Sequence, residues 1–257
     1  MLDNLKVLPD NKKLFFASDF HLGAPDGKSS MRTEKKVVAW LDHIKEEAEA
    51  IILAGDIFDF WFEYKNAIPK GFVRLQGKIA EITDSGTTVI FFTGNHDMWM
   101  YDYFPKELNI NIYREPMKLE INGIKLLVGH GDGLGPSDIT YKILKKIFGS
   151  KVCQWAFARI HPNLGIGLAK YWSGKSRISN EGTDTFELDN DFLLDFCRRN
   201  EEKEHFDYYI FGHRHIPLEI KINESSTYIN LGEWVTNSYY AEFDGHHVSL
   251  IKFDALR

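Results

Sequence analysis

The sequence predicts an α/β fold of two stacked sheets with helices outside, and three observations predict it. Apolar runs of strand length recur and end in polar, metal-loving side chains; amphipathic helical stretches separate the early runs; turn-forming Asn-Gly and Asp-Gly pairs punctuate the late ones. Strand and helix in alternation require a parallel sheet, whereas tight hairpins join antiparallel strands.

The elements follow in chain order. "KLFFASDFH" is a strand closing on Asp19 and His21, and the helix after it places Val37, Trp40, Leu41 and Ile44 on one face. "AIILAGDIFD" closes on Asp56, and a second helix aligns Phe72, Leu75, Ile79 and Ile82 before "DSG". "TVIFFTGNHD" ends in Asn95, His96 and Asp97. "MKLEINGIKLLV" is a hairpin about Asn122-Gly123 that runs into "GHGD", with His130 and Asp132. "YYIFGHRH" delivers His213 and His215, while "TYINLGEW" and "YYAEFDGHHVSLIKF", the latter turning at Asp244-Gly245, read as antiparallel strands. In the parallel part, ligands gather beyond the carboxyl ends of the strands.

A chain of 257 residues that is 44% hydrophobic buries a large core, and residues 1–257 are expected to form one domain carrying an insertion. "MLDNLKVLPDNKK" mixes charges where a signal peptide needs an apolar run, and no stretch has the length of a membrane span, so an intracellular protein is expected. Cys153 and Cys197 form no CxxC pair and read as buried, reduced cysteines.

On extended backbone, residues i and i+2 point the same way, so Asp19 with His21, and His213 with His215, each supply a ligand pair. Adding Asp56, Asn95 and His130 gives imidazoles, carboxylates and an amide oxygen, a donor set suited to Mn, Fe or Zn. Seven ligands exceed the need of one zinc and fit two ions about 3.5 to 4 Å apart that share a carboxylate. A lone histidine is ordinarily structural, and His43, His161, His205, His246 and His247 are left in that class. Five ordered motifs are not accounted for that way.

"DFH", "GDIFD", "GNHD", "GHGD" and "GHRH" resemble, in order, the motif blocks of calcineurin-like metallophosphoesterases. The resemblance implies a four-layer αββα sandwich with two divalent ions, Mn2+ first and Fe or Zn as alternatives. One ion would be held by Asp19, His21, Asp56 and His215, the other by Asp56, Asn95, His130 and His213. It also implies that His96 contacts the phosphoryl group or protonates the leaving group, and that Asp97 orients His96.

From Ile139 to Asn180 there are eight Lys and Arg residues and no Asp or Glu, in a chain of net charge −6. Ile143, Leu144, Ile147, Phe148, Trp155, Phe157, Leu164, Leu168, Tyr171 and Trp172 are interleaved with those charges. Such a mixture suits an anionic bilayer or acyl chains beside a phosphate; the plainer alternative is a helical pair with solvated lysines. The acidic balance and the large aliphatics argue against nucleic acid.

The insertion, taken as a helical lid over 134–185, falls where the UDP-2,3-diacylglucosamine pyrophosphohydrolase branch carries one. "GDIFDFWFE" and "HGDGLGPSDITY" resemble that branch's blocks. The resemblance implies a lipid-linked nucleotide-sugar substrate, cleaved to UMP and 2,3-diacylglucosamine 1-phosphate at the cytoplasmic face of the inner membrane. It carries over Asp138 and Tyr141 as substrate contacts with Asn95, His96 and His213, and places Ser173, Lys175 and Arg177 in the polar part of the lid. His96 stands where many branch members have Arg, and "FEYK" replaces an acidic "GDD". Two other readings remain at this point: a dimetal phosphodiesterase for nucleotides or phosphoprotein, and a scaffold that binds partners without turnover, against which the intact ligand set argues.

Overall fold

The structure is a computed structural model that describes residues 2, 5–135, 139–169 and 191–254, with the backbone alone at 139–141, 143 and 144. Two mixed sheets stack face to face. The first joins β1 (Lys13–Ala17), β2 (Ala48–Ala54), β3 (Thr88–Phe92) and β4 (Asn111–Tyr113) in parallel, with β10 (Tyr239–Phe243) and β11 (Val248–Lys252) added antiparallel beside β1. The second runs in the order β5 (Met117–Ile121), β6 (Ile124–Gly129), β7 (Tyr208–Phe211), β9 (Thr227–Leu231) and β8 (Pro217–Lys221).

The period-two alternation of each strand decides which layer its side chains enter. Leu14 and Phe16 of β1, Ile52 of β2 and Ile90 of β3 face inward, where they meet Leu126, Val128, Ile210 and Ile229 of the second sheet. The intervening Phe15, Ile51, Leu53, Val89 and Phe91 face outward onto α1 (Gly27–Ile44), α2 (Val73–Asp84) and α3 (Tyr103–Leu108). Leu127, Tyr209, Phe211 and Tyr228 cover the other outer face with Leu193, Leu194 and Cys197 of α7 (Phe192–Glu201). Strands buried on both faces read as continuous apolar runs, which is why each was visible in the sequence.

Two late elements depart from expectation. β9 is not simply one of an antiparallel set: it pairs parallel to β7 and antiparallel to β8, the strand after "GHRH". All five of its residues are buried, which suits a central position. The β10–β11 hairpin crosses back to extend the first sheet, where Ala241 and Phe243 join the inter-sheet core. Between β6 and α7 lie α4 (Ile139–Gly149), α5 (Lys151–Phe157) and a helical run α6 over 162–169, together the helical arm.

α1 also builds α2. The residue before α2, Phe72, has φ 58° and no side-chain cap of its own. Glu34 of α1, 2% exposed, supplies one: its Oε1 accepts from the Arg74 and Leu75 N–H groups at 2.8 and 3.2 Å. Glu34→Ala strands two helix-terminal donors in a buried place and is expected to cost about 1–3 kcal/mol by urea unfolding. Glu34→Gln keeps an acceptor oxygen and should lose less; equal melts for the three proteins would refute this capping role.

Candidate metal centre

Five strand ends deliver their polar residues to one place. Asp19 and His21 follow β1, Asp56 follows β2, Asn95 follows β3, His130 follows β6, and His213 and His215 follow β7. The route differs from the extended alternation expected of i and i+2 pairs. Asp19, His21, Asp56, His213 and His215 all have left-handed backbone, with φ of 55°, 44°, 51°, 69° and 57°. Asp and His tolerate that region better than branched residues, yet each such residue carries strain of about 1–3 kcal/mol that surrounding bonds must offset. Those bonds are present: Asp19 N–H donates to the Gly55 carbonyl, His21 N–H to that of Asp56 and Gly212 N–H to that of His130, at 3.0, 3.0 and 2.9 Å.

Each carboxylate is pinned by one oxygen and presents the other. Asp19 Oδ2 accepts the His213 N–H at 3.0 Å, and Asp56 Oδ1 accepts the His96 N–H at 2.9 Å. Asp19 Oδ1 then lies 3.2 Å from His215 Nε2 and 3.6 Å from His21 Nε2. Asp56 Oδ2 sits between two imidazoles, 3.8 Å from His21 Nε2 and 3.4 Å from His130 Nε2. Two of the groups close enough to hold an ion, Asp19, His21, Asp56 and His215, and Asp56, His130 and His213, share Asp56, while a third, His21, Asp59 and His96, adjoins the first. Asn95 Oδ1, 3.3 Å from His130 Nε2, joins the second. His130 Nδ1 donates to the Ala54 carbonyl at 2.9 Å, so its proton sits away from the centre and Nε2 faces it.

Glycine makes this approach possible. A Cβ on Gly94 would come within 2.2 Å of Asp56 Oδ1, and one on Gly212 within 2.4 Å of Asp19 Oδ2.

The donors fit divalent cations. Asp19 Oδ1 is buried without a hydrogen-bond partner, and His21 Nε2 and His215 Nε2 face each other at 3.0 Å, an arrangement that a shared cation satisfies for both lone pairs. Burial alone would raise both carboxyls, but the imidazoles hold them below the ordinary range: His21 and His215 act on Asp19, His130 and His96 on Asp56. Burial likewise disfavours a charged His130, yet Asp56 carries it up to about 10, while burial and His130 push His213 down to about 4. The centre is thus a concentrated negative field that attracts cations, protons included.

The family model of calcineurin-like phosphoesterases matches residues 12–217, which spans every ligand named above. This chain belongs to that family. It is therefore a hydrolase. It is 35% identical over 247 residues to the UDP-2,3-diacylglucosamine hydrolase of Porphyromonas gingivalis, covering 91% of this chain and 94% of that one. The protein of the same name from Vibrio parahaemolyticus is 27% identical, over 86% and 90%. The structure of Yfce, a phosphoesterase from E. coli, covers 93% of this chain and 92% of its own at 16% identity and TM-score 0.45, a likeness too distant to argue from.

Around the phosphoesterase centre, one assignment changes and one residue is added. Asp97 does not orient His96. Its Oδ2 accepts the N–H groups of Ile57 and Phe58 at 2.8 and 3.2 Å and its Oδ1 that of Gly94 at 2.8 Å, so it staples the Asp56 loop to the Asn95 loop. Burial and the nearby Asp56 push its carboxyl up to about 7. The acceptor at His96 Nδ1 is the Asp59 carbonyl, at 3.1 Å, with the Asp59 carboxylate 3.8 Å from that nitrogen and 4.0 Å from His21 Nδ1. The sequence signal for Asp59 was the second acid of "GDIFD", three residues after the bridging Asp56.

The branch-like block is largely structural here. Trp61 is fully buried in the α1–α3 core, and Glu63 accepts the Asp102 and Tyr103 N–H groups at 2.8 and 3.1 Å, capping α3. Tyr141 lies in α4, with only its backbone described; Asp138, Ser173, Lys175 and Arg177 lie outside the described residues.

Because Asp56 alone serves both groups, Asp56→Ala is expected to remove both ions, lowering metal content from about two per chain toward none. Gly94→Ala, which forces a methyl onto Asp56 Oδ1, should lose metal too while the chain stays folded by circular dichroism. Elemental analysis checks both; full metal content in Asp56→Ala would refute the shared-carboxylate geometry.

Proposed function

We propose that this phosphoesterase hydrolyses the pyrophosphate of UDP-2,3-diacylglucosamine, releasing UMP and 2,3-diacylglucosamine 1-phosphate, on a peripheral site at the cytoplasmic face of the inner membrane. The family and the names of its relatives supply the reaction class. The observation that carries the lipid part is the apolar face of the helical arm: Val152, Trp155 and Leu164 are 73%, 61% and 66% exposed. That arm is anchored to the loops of the metal centre, since Phe60, Phe62 and Trp99 pack against Phe148, Phe157 and Ile166. Lys142, Lys145, Lys146, Lys151 and Arg159 supply positive charge along it, with no acid among residues 139–169. Apolar surface beside cations is what an acylated phosphosugar on an anionic bilayer requires. Among the described residues no helix is long and apolar enough to cross a membrane, which is compatible with peripheral attachment.

Asp19, His21, Asp56 and His215 would hold one ion, and Asp56, Asn95, His130 and His213 the other, with Mn2+ the best match to the mixed nitrogen and oxygen donors. When bound, the ions acidify water and neutralise phosphate charge. His96 supplies the proton chemistry. Its Nδ1 donates to the Asp59 carbonyl, which sets the orientation of the ring, and the role assigned to His96 is to place a proton on the departing phosphate oxygen. Asp138, Tyr141, Ser173, Lys175 and Arg177 are assigned to the substrate side of the lid.

Product analysis tests the proposal directly. Purified enzyme with Mn2+ should convert UDP-2,3-diacylglucosamine to UMP and the lipid phosphate far faster than it cleaves a chromogenic aryl phosphodiester. The reverse preference would move the assignment to a soluble phosphodiesterase. His96→Ala should keep its metal and lose about 10² or more in turnover on either substrate. Loss of metal instead would make His96 a ligand.

A further inference from the structure

We infer that α4 is an outer brace of the second metal subsite, with Lys145 its positioning residue. Lys145 is a lid cation by sequence, and solvent is the usual destination of such a side chain. Its Nζ instead lies 2.8 Å from Asp132 Oδ2 and also donates to the Asp132 carbonyl at 3.3 Å. Asp132 is 5% exposed and stands two residues after His130. One ammonium therefore grips both the side chain and the backbone of the loop that presents His130.

A second tie starts one turn further along α4. Phe148 follows Lys145 by three residues, so the two share a helix face. Helix-terminal carbonyls lack partners within the helix, and that of Phe148 accepts the Trp99 indole N–H at 2.8 Å. The Trp99 ring also packs edge-on against Phe148 and at a tilt against Phe157 of α5, with centroids 5.5 and 4.8 Å apart. Trp99 belongs to the loop that carries Asn95 and His96. The same helix face thus holds the His130 loop through Lys145 and the Asn95 loop through Trp99. Those loops contribute His130 Nε2 and Asn95 Oδ1, which lie 3.3 Å apart across the second subsite. The first subsite draws Asp19, His21 and His215 from β1 and β7 and has no such tie to α4 among the described contacts.

Coupling of this kind is reciprocal: a brace that favours the second ion is itself steadied by that ion, by the same factor. Occupancy of the second subsite therefore orders the base of the arm, and loss of that ion loosens it. The substrate's lipid side and the catalytic charge are then made ready together.

The inference rests on the two-ion reading and is tested on the full chain without substrate. Metal-free protein is titrated with Mn2+ by calorimetry, and α4 amide hydrogen exchange is followed by mass spectrometry, in wild type, Lys145→Met, Lys145→Arg and Lys146→Met. Lys145→Met is expected to weaken the second binding step by about tenfold or more while leaving the first nearly unchanged, the scale of losing an outer partner of a metal ligand. Lys145→Arg should recover most of the loss, and Lys146→Met should match wild type. In wild type the second equivalent of Mn2+ should slow α4 exchange; in Lys145→Met it should not. Equal second-step affinities in Lys145→Met and Lys146→Met, or α4 exchange in wild type that ignores the second ion, would overturn the brace. Should Lys145→Met fail to fold, the wild-type exchange measurement and Lys145→Arg decide the matter. A wild type that saturates with one ion removes the two-ion reading itself, which the same titration distinguishes.

Discussion

The structure depends on placing two ionised carboxylates, Asp19 and Asp56, out of water at 0% and 1% exposure. An isolated buried carboxylate is too costly to persist, so the surrounding chain is arranged to compensate these two. Each has one oxygen fixed by a backbone N–H from a different strand end, and each turns the other toward imidazoles. Divalent ions complete the compensation. Folding and metal binding are therefore linked, because cations that bind the native centre stabilise it over the unfolded chain.

That requirement propagates into the backbone. To bring ligands from two sheets within a few ångströms, the chain leaves β1, β2 and β7 through left-handed residues, and the glycines at 94 and 212 let neighbouring carboxylates pass where a methyl group would collide. Asp97 ties the loops after β2 and β3 together with three backbone hydrogen bonds. Asp59 takes the place beside His96 that Asp97 had been expected to fill. A sequence cannot distinguish two aspartates near one histidine when the fold brings one from another loop.

The helical arm adds the second constraint. Its inner surface meets aromatic residues from the two loops that follow β2 and β3, and its outer surface leaves large apolar side chains in solvent. An arm held only by side-chain packing would be free to tilt. The Lys145 and Trp99 contacts remove that freedom at its base, and they join the part that would meet lipid to the part that meets phosphate.

The sequence by itself determined most of the strands, the two long helices and which acids, amide and imidazoles stand just beyond the strand ends. Burial on both faces writes each strand as an unbroken apolar run, and ligands just beyond a strand end sit beside it in sequence. Local spacing carries that information. Tertiary structure alone decided what depends on partners distant in the chain. It set the position of β9 between β7 and β8 and the return of β10 and β11 to the first sheet. It gave Glu34 its cap on α2, Asp59 its place at His96 and Lys145 its ion pair with Asp132. A side chain states its charge and length in the sequence, but the groups it meets are fixed only when the whole chain has packed around the buried carboxylates.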